Sequence, residues 1–184
     1  MKNFKSVSRV FVLVAVLFAG GIALSSCDKD EAVTPTPEVP AKKTMTYTYP
    51  FNTGQVGAGT AYAGTHAATI TATLKIEELE ANKSKLTVTL TNTMMGMEYM
   101  VHAHDAADPA TTTNGTPYNE SPNVDVLTTH VDGTGGVAMN TQEVNMSYAA
   151  LTANYSGFFV VHDPTQAIST ADLTTYLFVG AFAR

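Results

Sequence analysis

The residues of this 184-residue chain best suited to chemistry are its five histidines, two of which alternate in Tyr99-Met100-Val101-His102-Ala103-His104-Asp105. Val101 and Ala103 alternate with their neighbours at period two, which predicts a β-strand. Side chains at i and i+2 of a strand leave the same face roughly 6.5–7 Å apart. His102 and His104 can therefore converge on one metal ion while Val101 and Ala103 face a core. An isolated pair of this kind would sooner be read as two polar residues on the wet side of a sheet. Two further histidines in motif-like settings, His130-Val131-Asp132 and Val160-Val161-His162-Asp163, strengthen the metal reading. Neutral imidazoles suit copper, zinc or non-haem iron, and a copper site with an open position can cycle between two redox states. His66 has no partner in the sequence and reads as structural or exposed.

The elements that must position these residues are short strands. Thr69–Glu77 alternates with Ile70, Ala72, Leu74 and Ile76 on one face, and Leu86–Leu90 does so with Leu86, Val88 and Leu90. The polar stretch Glu78–Lys85 between them predicts a turn near Asn82 and Lys83. Met94–Met97 leads into the histidine strand, with Gly96 as the turn residue. Ala106–Asn123, with three prolines, is a long surface loop of the kind that is functional or disordered. Val137–Met146, Phe158–His162 and Tyr176–Phe182 read as later strands, and Tyr47–Phe51 as an edge strand stopped by Pro50. No segment has a convincing helical period and no internal repeat is visible. Many short strands at this spacing predict an all-β antiparallel sandwich or barrel.

The N-terminus places this domain. Met1–Arg9 carries Lys2, Lys5 and Arg9, and the apolar run Val10–Leu24 that follows is short for a bilayer span. Leu24-Ser25-Ser26-Cys27 resembles the lipobox of bacterial lipoproteins, which implies that residues 1–26 are a signal peptide and that Cys27 is lipidated. Cys27 is the only cysteine, so no disulfide can form within the chain. Asp28-Lys29-Asp30-Glu31 resembles a signal that sends lipoproteins to the surface of some Gram-negative bacteria. Residues 27–44, rich in proline, form an extended tether, and residues 45–184 the domain. Lipid chains would anchor the protein to the outer membrane of the cell envelope without spanning it. Removal of the three leader cations and no acid takes the formal charge from −6 to −9, which argues against nucleic acid as a partner.

Three segments resemble Cu/Zn superoxide dismutase, in the family's order. Gly96 to His104 is similar to its turn and copper-binding His-x-His strand, and His130-Val131-Asp132-Gly133-Thr134-Gly135-Gly136-Val137 to its zinc-loop exit. Val160-Val161-His162-Asp163 is similar to its Val-Val-His-Glu copper ligand, and Leu177–Phe182 to its last strand. The resemblance spans most of Ala67–Phe182 and implies a Greek-key sandwich or flattened barrel. It makes His102, His104 and His162 copper ligands and His130 a zinc ligand, with Asp132 beside it. In the family, Cu(II) takes an electron from one superoxide and Cu(I) returns it to another.

The departures are specific. The family's bridging histidine is absent, and Pro117-Tyr118-Asn119 stands roughly where it should be. The other loop zinc histidine is missing, and Asp132 is displaced by one residue, which in an extended segment turns it to the other face. The active-site arginine is replaced by Tyr176 or its neighbours. Zinc is therefore not expected, and a mononuclear copper site acting on superoxide is, with His130 as a fourth ligand or a bystander. Asp105 and Asp163 each follow a ligand candidate and can hydrogen-bond an imidazole. Tyr118 reads as a loop tyrosine covering the sheet, or else as a ligand or redox-active neighbour. Met94, Met95, Met97 and Met100 support a rival of another class, because thioethers are soft donors for Cu(I) and Met100 shares the strand face of His102 and His104. That rival is a non-catalytic copper-binding carrier, or an interaction module on the same sandwich. No phosphate loop, Ser/His/Asp set or cysteine nucleophile is apparent.

Overall fold

The computed structural model describes residues 40–52, 61–170 and 172–182; the leader, Cys27 and most of the tether lie outside the described residues. Eight strands form two antiparallel four-stranded sheets. The first holds β1 (Thr44–Pro50), β2 (Thr71–Glu80), β3 (Lys83–Thr91) and β6 (Ala138–Val144), in the order β1-β2-β3-β6. The second holds β4 (Glu98–Asp105), β5 (Thr128–Asp132), β7 (Gly157–His162) and β8 (Tyr176–Phe182), in the order β5-β4-β7-β8. The chain is thus an all-β sandwich. Helical structure among the described residues is a π-turn at Ala150–Asn154 and a 3₁₀ turn at Leu173–Thr175. No described helix is long and apolar enough to cross a membrane.

Alternation decides which face is inside. Ala72, Leu74 and Ile76 of β2 and Leu86, Val88 and Leu90 of β3 are fully buried against Val101, Ala103, Phe159 and Val161 of the second sheet. Each such aliphatic side chain contributes about 1.5–3 kcal/mol by leaving water. The outward threonines and the Lys75–Glu77–Lys85 ion pairs keep the far face of the first sheet wet. Edge strand β1 ends at Pro50, where a missing N–H costs least. Gly96, at φ 73°, makes the turn into β4 as its position predicts.

One departure from the sequence reading matters for the site. His130–Asp132, which the resemblance put in a loop exit, ends the strand β5 paired to β4. The segment after β4 is a long, largely exposed loop, as expected. It is stitched back by Asn119 N–H to the Asp105 carbonyl, Ala103 N–H to the Leu127 carbonyl and Asn123 N–H to the Ala103 carbonyl. β4 therefore pairs with β5 along its first half and with this segment along its second. The result is a second, smaller apolar cluster on the outer face of the second sheet, made by Tyr118, Val160, Leu173, Tyr176 and Val179. Strands β7 and β8 are buried on both faces, which is why they read as continuous apolar runs.

Candidate metal centre

β4 sends Val101 and Ala103 into the sandwich and His102 and His104 outwards, beneath the second cluster. His102 pairs with Val160 of β7 and His104 with Phe158. His162 follows Val161, the last residue of β7 paired to β4, and its ring stands beside that of His102. The three imidazoles meet although they leave an outer face. His102 Nδ1 is 3.1 Å from His104 Nε2, and the His102 and His162 ring centroids are 4.8 Å apart. Their exposures are only 5% for His102, 2% for His104 and 2% for His162.

Proton placement follows from the partners. His104 Nδ1 lies 2.6 Å from the Asn119 carbonyl, so it carries the hydrogen and leaves Nε2 as a bare lone pair. Two nitrogens holding one ion at about 2.0–2.1 Å stand about 3 Å apart, and the His102–His104 pair, joined here by an Nδ1–H···Nε2 hydrogen bond of 3.1 Å, already has that spacing. His102 Nε2 and both ring nitrogens of His162 are buried and have no hydrogen-bond partner. Orphaned atoms of this kind cost about 1–3 kcal/mol each unless an ion or water satisfies them. All three rings are held neutral. Burial, with repulsion from His162, His104 and His130, brings His102 down to about 3, and burial with repulsion from His104 brings His162 to about 4. His104 is also lowered by burial, against the upward pull of the Asn119 carbonyl. Neutral imidazole is the form a metal ligand needs. As it stands, no described group of three or more His, Cys, Asp or Glu side chains is placed to hold a metal ion. His162 lies against the His102 ring and would have to turn a nitrogen towards the other two.

The remaining candidates separate from this trio. His130 sits on the outer face of β5 opposite Met100, exposed, with Nδ1 2.8 Å from Glu98 Oε1. Asp132 pairs with Glu98 on the same strand and is exposed too. Asp105 accepts from Asn123 Nδ2 and bonds none of the three imidazoles. Asp163 is committed to the Tyr62 hydroxyl, Gln166 Nε2 and the Thr165 amide and hydroxyl. His66 is buried and structural: Tyr99, whose oxygen accepts from Met94 N–H, donates to its Nε2 at 2.7 Å.

Two aromatic rings complete the centre. Tyr118 stands on His104 with centroids 5.1 Å apart, and Tyr176 meets His162 edge-on at 4.4 Å. The Asn119 carbonyl that orients His104 was not legible in sequence, because a main-chain atom leaves no residue signature. No family model, curated protein or solved structure matches the chain.

Proposed function

We propose that this protein is a divergent relative of the Cu/Zn superoxide dismutases that binds one copper ion at His102, His104 and His162. The observation that carries the reading is the 3.1 Å approach of two imidazole nitrogens beside a third, unpartnered imidazole. The return of β6 to lie beside β3, after β4 and β5 have been laid in the other sheet, supports a Greek-key sandwich of that family's type. His102, His104 and His162 would hold the ion, the Asn119 carbonyl would orient His104, and copper would supply one-electron exchange with superoxide. His130 is tied to Glu98 on the exposed edge instead of joining the trio, which favours a mononuclear site. The lipobox and acidic residues after Cys27 support a lipid-anchored protein of the outer membrane, held at the cell surface by its tether.

Copper analysis of the full chain, purified in detergent without a histidine tag and incubated with Cu(II) and Zn(II), tests this. One copper per chain, lost in His102→Ala and His162→Ala together with superoxide turnover, supports the enzyme. A chain that binds no copper sinks the reading.

One observation favours the second reading, a copper carrier. Met100 lies two residues before His102 on the same face of β4, and the three imidazoles are nearly closed to solvent. Copper binding without turnover, weakened in Met100→Ala, would select it.

A further inference from the structure

We infer that Tyr118 and Tyr176 close the three-histidine centre under a dry aromatic roof, and that this enclosure makes it a site for cuprous rather than cupric copper. The inference rests on the copper site proposed above and, between its two readings, favours the carrier over the dismutase, because a closed cuprous site gives superoxide no way in.

The roof is complete. Tyr118 is 1% exposed and Tyr176 2%, one ring on His104 and the other on His162, with Leu173, Val160 and Val179 filling the space between. Phe158 packs on Tyr118 with centroids 5.3 Å apart and extends the apolar cover past His104.

The charge balance then selects the ion. The three imidazoles are neutral, and the acceptor behind His104 is a main-chain carbonyl instead of the carboxylate that often backs a ligating histidine. Neither Asp163, bonded to Tyr62, Thr165 and Gln166, nor Asp105, bonded to Asn123, reaches the trio as a ligand, although the Asp105 charge acts on His104. Glu120 acts on the tyrosine hydroxyls and accepts from Asn114 N–H, outside the roof. The cost of burying a charge rises with its square, so a doubly charged ion here costs about four times as much as a singly charged one. Cu(II) also seeks a tetragonal set of four or more N and O donors, and no described carboxylate or further imidazole joins the trio to complete it. A three-nitrogen set suits Cu(I), with the Met100 thioether on the same face as a soft neighbour. Among the described residues no lysine is placed to draw an anion in: Lys42, Lys43, Lys75, Lys83 and Lys85 lie on the first sheet or before it.

The test uses the full chain in detergent, without a histidine tag. Cu(I) affinity is measured anaerobically by competition with bicinchoninate, Cu(II) affinity by competition with nitrilotriacetate, and oxidation state by electron paramagnetic resonance after Cu(I)-loaded protein stands in air. The expected result is Cu(I) held at least about 100-fold more tightly than Cu(II), with most of the copper silent in air. Tyr118→Phe keeps the ring and this behaviour. Tyr118→Ala opens the roof, develops a Cu(II) signal in air and narrows the affinity ratio by about tenfold or more. If Tyr118→Ala does not fold, Leu173→Ala thins the same cover and should move both readouts the same way. A full Cu(II) signal in air from the unaltered protein, with the two affinities equal, overturns the inference while leaving the copper site standing. Failure to bind copper in either state overturns the site itself.

Discussion

His104 Nε2 faces His102 Nδ1 at 3.1 Å because the other nitrogen of His104 is held by the Asn119 carbonyl at 2.6 Å. That one main-chain contact fixes the tautomer and the ring plane of a residue whose neighbours are otherwise apolar. In the metal-free chain the His102 Nδ1–H donates to His104 Nε2; a metal between them requires that hydrogen to leave or move to His102 Nε2, which has no partner now.

Binding to the folded state alone raises stability by mass action. Copper at about 100 times its dissociation constant should add about 2.7 kcal/mol, seen as a rise in Tm that a chelator reverses. His102→Ala should abolish the rise. An equal rise in that variant would place the copper elsewhere.

The three imidazoles also set an acid limit. His102 and His162 titrate at about 3 and about 4 in the folded chain, and His104 is lowered as well, against about 6.5 when unfolded. The unfolded chain therefore binds more protons between these values. The stability these groups contribute is present above about pH 6.5 and is lost as pH falls towards about 3. Each ring that is charged only when unfolded adds a slope of about 1.4 kcal/mol per pH unit. Urea titrations of the metal-free chain from pH 7 to 4 should show this fall, and a flat profile would mean that the rings are not buried neutral.

Tyr118 separates ring from hydroxyl. Its buried hydroxyl has no partner, so Tyr118→Phe should leave stability unchanged or raise it by about 1 kcal/mol. Tyr118→Ala removes the ring that covers His104 and should cost about 3–5 kcal/mol. Chemical denaturation of the two variants checks both; a large loss in Tyr118→Phe would reveal a bond made by that hydroxyl.

Gly180 tests the other side of the second sheet. A Cβ there would stand 2.3 Å from Tyr49 Cδ1 and Cε1, and Tyr49 is stacked on Phe159 at 4.9 Å. Neither ring has space to retreat, so Gly180→Ala should cost about 1–3 kcal/mol or more, the range of overpacked cores. A neutral result in thermal melts would show that the edge strand β1 moves freely.

Much of this architecture is local and therefore legible in the sequence. Period-two alternation in Ile70–Ile76 and Leu86–Leu90 depends only on the pleat, so those strands and their buried faces follow from residue order. The same rule put His102 and His104 on one face. Other features depend on partners distant in the chain. Thr128–Asp132 is short and polar and becomes a strand because β4 offers it an edge. An outward-facing histidine pair would ordinarily be wet; these are dry because the segment after β4 folds back over them and brings Tyr118 with it. His162 and Tyr176 join them through the β4-β7-β8 pairing, and His130, equally prominent in sequence, is drawn instead to Glu98. Sequence by itself determined which residues could bind a metal. Only the tertiary structure decided which of them meet and how dry their surroundings are, because convergence and burial are properties of strand pairing and of the chain that covers it.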